Sequence, residues 1–295
     1  MSKKPIVALL FSSGSDSSES QYLATYLGCH LFWGGYSSIR LVPIKGKHQK
    51  SSDDTPTSSV LCVPQSNAGK VTKVEAGPDF WMRADLKSTL KECQKMYEEQ
   101  VRWAKEAGVD FIVAETINWV DEMKIALKAI KDEGLIAVAN YAIPRGDLTR
   151  DGHTAEDACK IIEDLGADVV GLNCYRGPKM TMKLLKEVRK KVSCHVAGLP
   201  VPYRTTEEEP GFLNQTDHGC DCIPGGNAFP VALDNLFCNR FEMAEFAKDC
   251  LKQNINFIGI CCGAEAHHVR EMAVAIGKKP ISMKYMPDMS KHFHH

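Results

Sequence analysis

Three stretches of this chain can be laid over one another without gaps, and that repeat restricts the fold more than any other feature. They are Ala107-Gly108-Val109-Asp110-Phe111-Ile112-Val113-Ala114-Glu115-Thr116, Leu165-Gly166-Ala167-Asp168-Val169-Val170-Gly171-Leu172-Asn173-Cys174, and Gln253-Asn254-Ile255-Asn256-Phe257-Ile258-Gly259-Ile260-Cys261-Cys262. Each reads as a helix end, a turn, an Asp or Asn, four apolar residues, and then two chemically capable ones. In this register Glu115, Asn173 and Cys261 share one position, and Thr116, Cys174 and Cys262 share the next. Short apolar runs alternating with amphipathic segments argue βα units around a parallel sheet. Parallel strands that begin alike also end alike, so these side chains gather at the carboxyl edge, where α/β folds hold their ligands.

The pattern predicts strands over Phe111–Thr116, Ile136–Ile143, Asp168–Cys174, Cys194–Val201 and Phe257–Cys262. Helices are predicted over Leu86–Ala107, Val120–Asp132, Ala155–Leu165, Met180–Val192, Phe241–Gln253 and Glu265–Ile276. Thr154 with Asp157 reads as a helix N-terminus, and Gly134, Gly166 and Gly277 stand where C-terminal glycine caps belong. The one long connection, Tyr203 to Asn239, suits a functional loop over a barrel mouth. Residues 1–85 differ: Ser-rich and Lys-rich patches such as Ser12 to Ser18 and Lys45 to Thr57 give little periodicity, a strand or two and much loop, with partial disorder in keeping with that composition. The organisation expected is a divergent segment, 1–85, followed by a barrel domain with a C-terminal tail, 86–295.

A chain of 295 residues is long enough for a complete α/β barrel as one domain. With 36 Lys plus Arg against 37 Asp plus Glu, no broad basic face for nucleic acid is implied, and small neutral or zwitterionic substrates fit better. No stretch approaches the roughly 20 apolar residues that span a bilayer. Lys3-Lys4 before the apolar run Ile6 to Phe11 only faintly imitates a signal peptide. The twelve cysteines are scattered through helical and strand-like segments, which points to a reducing cytoplasm rather than a secreted disulfide framework.

Paired thiols at the end of a buried strand, Cys261 and Cys262, suit a soft metal better than packing, and Cys174 supplies a third sulfur. Neighbouring strand residues point to opposite faces, so both members of the pair reach one ion only if the chain leaves β geometry there, which Gly263 makes easy. Three thiolates on Zn²⁺ leave one corner of a tetrahedron open and make a poor activator of water, which disfavours a zinc hydrolase. Such a centre still binds a thiol and holds it deprotonated, the chemistry of alkyl transfer from a positively charged nitrogen or sulfur onto sulfur. Glu115, not needed as a ligand, is then placed for a substrate ammonium group.

Gly171-Leu172-Asn173-Cys174 and Gly259-Ile260-Cys261-Cys262-Gly263 resemble the zinc motifs of the homocysteine S-methyltransferases, above all the betaine–homocysteine S-methyltransferase-like members. Val109 to Thr116, Leu199 to Pro210 and Pro287 to His292 match further phrases of that family. The resemblance runs from Leu86 to His292 and implies a (β/α)8 barrel of the TIM type, with zinc on Cys174, Cys261 and Cys262. It implies substrate contacts from Glu115, Thr116 and Asn173, and small-molecule partners: homocysteine, converted to methionine, and an onium methyl donor, betaine-like or an S-methyl sulfonium. The family's opening Asp-Gly-Gly strand has no counterpart anywhere in this sequence, and 85 residues are few for three βα units. An incomplete or irregular first third is therefore expected, and the rival reading is a catalytically impaired zinc-binding or partner-binding remnant. The donor and the oligomeric state, a homo-oligomer included, stay open.

Other residues read as ordinary structure. His218, Cys220 and Cys222 have no common zinc spacing. His267 and His268 are expected to pack or face outward, and His292, His294 and His295 to lie in a loose tail. Tyr203 and Arg204 are expected at the barrel mouth, with Arg204 free to pair with the Glu207–Glu209 run. Met96, Val101 and Trp103 are taken as a packing stripe. No P-loop, Gly-x-Gly-x-x-Gly, His-Glu-x-x-His or Gly-x-Ser-x-Gly element is present.

Overall fold

The computed structural model describes residues 6–9, 62–63, 86–106, 109–143, 146–216, 226–230, 232–291 and 293. The expectations for Ser12 to Ser18, for Lys45 to Thr57, for His218, Cys220 and Cys222, and for His292, His294 and His295 fall outside these residues. In chain order the elements are β1 (Ile6–Leu9), β2 (Cys62–Val63), α1 (Leu86–Glu106), β3 (Phe111–Ile117), α2 (Val120–Asp132), β4 (Ile136–Tyr141) and α3 (Ala155–Asp164). They continue with β5 (Val169–Asn173), α4 (Pro178–Lys191), β6 (His195–Leu199), α5 (Arg240–Lys252), β7 (Phe257–Ile260) and α6 (Ala266–Ala275). All strand pairs are parallel, in the order β1-β7-β6-β5-β4-β3-β2. The two short strands from before residue 85 thus stand at opposite edges of the sheet.

Alternation along the strands separates two faces. Ile112 and Ala114, Ala137, Ala139 and Tyr141, Val170 and Leu172, Val196, and Ile258 and Ile260 join one apolar cluster with residues from all six helices. Their neighbours, among them Val113, Val138, Val169 and Ala197, are equally buried but lie outside that cluster, on an inner face. Helices on a single face mark a curling sheet rather than an open one covered on both sides. The curl is visible directly: Phe111 of β3 and Phe257 of β7, four strands apart, meet edge to face on the inner side at 6.3 Å. The described part of the chain is a partial α/β barrel.

Helix boundaries follow local chemistry. Thr154 caps α3, its side chain accepting from the Asp157 N–H, and Asn239 with Glu242 forms a capping box on α5. Gly134, Gly166 and Gly277 take positive φ just beyond their helices, as glycine caps do. The stripe expected on α1 is corrected. Val101 is buried, but Met96 is only half-buried and Trp103 is 40% exposed. Cys93, Tyr97, Gln100 and Ala104 carry the packed face beside Val101, the three- and four-residue spacing that keeps side chains on one side of a helix. No described helix is long and apolar enough to cross a membrane.

Candidate metal and substrate site

The three repeats end together, and each leaves β geometry as it does so. In β3 the register with β4 slips between Ala114 and Ile117, so Glu115 and Thr116 stand opposite one β4 residue, and Thr116 has φ +60°. After β5, Cys174 and Tyr175 take φ +59° and +53°. After β7 the chain turns at Gly263, φ +84°. A Cβ on Gly263 would strike the Tyr203 ring and hydroxyl, so glycine is required there by space as well as by φ. Left-handed backbone at non-glycine residues costs about 1–2 kcal/mol apiece, and here it turns side chains that a regular strand would send to opposite faces toward one point.

That point is a cluster of sulfur. Cys174 Sγ lies 3.6 Å from Cys262 Sγ, Cys261 Sγ lies 3.8 Å from Cys262 Sγ, and the three atoms fall within 4.8 Å of one another. Tetrahedral zinc with Zn–S near 2.3 Å requires sulfurs about 3.8 Å apart, so the donor set fits such an ion in kind, and both Cys262 spacings match it. The backbone holds the trio: Cys261 N–H donates to Pro200 O, Cys174 N–H to Leu199 O, and Ala264 N–H to Cys261 O. Contacts with Cys174 and then Cys262, reinforced by burial, push the Cys261 thiol well above its ordinary value. Cys174 is also raised: its contact with Cys261 lowers it, but the Cys262 neighbour and burial outweigh that. A divalent cation reverses this balance and takes the sulfurs as thiolates.

Asn173, one residue before Cys174, ties the site together. Its Nδ2 donates to Thr116 Oγ1 at 2.7 Å and Glu115 Oε2 at 3.3 Å, and lies 3.7 Å from Cys261 Sγ. Its Oδ1 accepts the Thr116 N–H at 2.8 Å. Glu115, Thr116 and Asn173 are all buried, and the repeat brings all six expected residues into one assembly. Above them Val201 and Phe212, with Tyr203, Leu213 and Leu233 against them, form a small apolar cluster that includes Ala142, Cys174 and Cys261. Tyr203 stacks on Phe212 at 5.3 Å, and Phe212 meets Phe229 edge-on at 5.6 Å. Nothing in the sequence marks Phe212 and Phe229, since isolated aromatics in a long loop carry no periodic signal.

Arg204 corrects an expectation. Its partner is Glu242 on α5, through Nε–Oε1 at 2.8 Å and Nη2–Oε2 at 2.6 Å, not the Glu207–Glu209 run. Glu207 pairs with Lys183, and Glu209 accepts from Thr216, so the run is drawn away from Arg204. His268 packs as expected: it is wholly buried, takes the Glu265 N–H on Nδ1, and places Nε2 2.9 Å from Cys238 O.

The site of this parallel α/β half-barrel is three thiols and a carboxylate at the carboxyl ends of its strands, a donor set that could hold a thiophilic metal. The homocysteine S-methyltransferase family model matches residues 56–276, well over half the chain, and the chain belongs to that family. It is 30% identical over 189 residues to betaine–homocysteine S-methyltransferase 1 of Xenopus tropicalis, covering 62% of this chain and 44% of that protein. The same enzyme of Danio rerio is 30% identical over 184 residues, covering 62% of this chain and 44% of that protein. S-methylmethionine–homocysteine S-methyltransferase BHMT2 of Pongo abelii is 27% identical over 187 residues, covering 61% and 48%. The chain spans less than half the length of these relatives.

Proposed function

We propose that this chain moves a methyl group from an onium donor, betaine-like or an S-methyl sulfonium, to the thiol of homocysteine, giving methionine. The observation that carries the reading is the sulfur trio within 4.8 Å, spaced for zinc, beside the buried carboxylate of Glu115. Cys174, Cys261 and Cys262 are the residues that would hold the ion. When bound, zinc supplies the positive centre that keeps a substrate thiol deprotonated at neutral pH.

The remaining steps belong to the protein's own groups. Glu115 accepts the ammonium of the amino acid, and Asn173 fixes the Glu115 carboxylate and the Thr116 hydroxyl, so both meet the substrate without reorganising. The apolar cluster around Tyr203 and Phe212 keeps water from the transfer path. A sulfur lone pair forms the new S–CH3 bond as the donor's C–N or C–S bond breaks, and that electron pair leaves with a neutral amine or sulfide. The same reading makes the sheet part of a (β/α)8 barrel. Eight free thiols among the described residues support a reducing, cytoplasmic setting.

Zinc analysis followed by assays for methionine from homocysteine, with betaine and with S-methylmethionine as donors, tests the proposal. Cys262→Ala is expected to lose both zinc and turnover; full metal content in that variant would count decisively against the assignment. The missing Asp-Gly-Gly strand favours one second reading, a member that binds zinc without transferring methyl groups. Zinc bound at full stoichiometry with no methionine from either donor selects it.

A further inference from the structure

Opposite the Glu115–Thr116 bulge stands a single β4 residue, Asn140. On its other side Asn140 is in register with Gly171, two residues before Asn173. Ala139 and Tyr141 pack with the helices, so Asn140 between them points to the inner face, at the level of the site. It is wholly buried, and neither its Oδ1 nor its Nδ2 has a hydrogen-bond partner among the described residues. Asn173, one strand away, has both amide atoms engaged. A carboxamide shut away from water with both atoms unmatched costs folding free energy, and such a group calls for a partner beyond the described residues.

We propose that Asn140 is a specificity-determining residue that recognises the α-amino acid end of the thiol substrate, its Nδ2 donating to the substrate carboxylate while Glu115 takes the ammonium. The inference rests on the homocysteine reading above and adds to it the residue that separates a thiol amino acid from a thiol amine. The chemistry suits the place. A second cation beside Glu115 would compete for the carboxylate and repel the ammonium, whereas a neutral amide donates to a carboxylate and leaves its oxygen for the ammonium. Ala139 and Tyr141, bound into the helix-facing cluster, hold the strand that positions it.

The experiment is calorimetric titration of the zinc-loaded full chain, wild type and Asn140→Leu, with homocysteine and with 3-mercaptopropylamine, which has the thiol and the amine but no carboxylate. Melting temperatures of both proteins are measured without ligand. Asn140→Leu is expected to bind homocysteine about 10- to 100-fold more weakly, the loss of a hydrogen bond to a charged group. Its affinity for 3-mercaptopropylamine should stay within about 2-fold of wild type. Its melting temperature should equal or exceed that of the wild type, because an unpartnered amide has given way to an apolar side chain of similar size. Unchanged homocysteine affinity overturns the proposal, as does an equal loss for both ligands accompanied by lower stability, which is the signature of a merely structural role. If Asn140→Leu does not fold, Asn140→Ala is read by the same ratio of the two affinities. A wild type that binds zinc but no homocysteine removes the functional reading itself, whereas homocysteine binding that Asn140→Leu leaves intact removes only the role of Asn140.

Discussion

The two ends of the same strands use polar residues in opposite ways. At the amino end, Asp168 Oδ2 accepts the Ala137 N–H at 2.8 Å and Lys131 Nζ at 2.9 Å. Asn256 faces His195 Nδ1 at 3.1 Å, and Glu163 Oε1 accepts from Ser193 N, Ser193 Oγ and Cys194 N at 2.7–2.8 Å. Polar groups there close backbone bonds that would otherwise be open. At the carboxyl end the chain instead adopts left-handed backbone at Thr116, Cys174 and Tyr175, crowds three thiols together, and leaves Asn140 without a hydrogen-bond partner among the described residues. One end is arranged for stability; the other carries strain and unpaired polarity, as the proposed binding site would require. Cysteine repeats the contrast. Cys93 lies in the apolar core, where burial and then Glu122 push its thiol up to about 12, and among the described residues it joins no metal-ligand cluster.

Substitutions at the two ends should therefore separate metal binding from folding. The largest effect is expected for Cys262→Ala, with zinc lost outright while the melting temperature of the metal-free protein changes little; atomic absorption and thermal denaturation read the two. Gly263→Ala comes next. Its left-handed φ costs about 1–2 kcal/mol, and the new Cβ must displace Tyr203, so zinc affinity in a chelator competition should fall together with stability. At the other end, Asp168→Ala should lower unfolding free energy by about 1–3 kcal/mol, from the orphaned Ala137 N–H, with zinc stoichiometry unchanged. Loss of zinc from that variant would break the comparison.

The smallest effect concerns acid. Burial pushes Glu163 up, but hydrogen bonds from Ser193 and Cys194 outweigh it and hold the carboxyl at about 2, below its ordinary 4.5. A carboxyl held lower in the folded than in the unfolded chain stabilises above the unfolded value, and that contribution fades as pH falls from about 4.5 toward 2. Glu163→Gln should flatten this part of the stability profile and leave behaviour above pH 5 nearly parallel to wild type, which denaturant melts across pH 2–6 would show.

Much of the upper end is legible in the chain itself. The gapless repeat puts Glu115, Thr116, Asn173, Cys174, Cys261 and Cys262 at equivalent positions, and the strands at Phe111, Ile136, Val169, His195 and Phe257 begin within a residue of the pattern's estimate. Arg204 was harder to read, because its nearest acidic residues along the chain are not the nearest in space. Trp103 lies off the packed face, because an apolar side chain near a stripe is indistinguishable from it until neighbouring elements choose the face. Asn140 gave no signal: an Asn between Ala139 and Tyr141 is unremarked until the barrel buries it.

Local pattern alone determined the parallel βα architecture and which six residues end their strands together, because hydrophobic periodicity and strand direction are properties of sequence. The tertiary structure decided which of those residues touch. It brought three sulfurs within 4.8 Å of one another, set Asn173 between Glu115 and Cys261, and left Asn140 without a hydrogen-bond partner among the described residues. Distances between strand ends depend on curl, bulges and left-handed turns, which arise only when distant segments pack against one another.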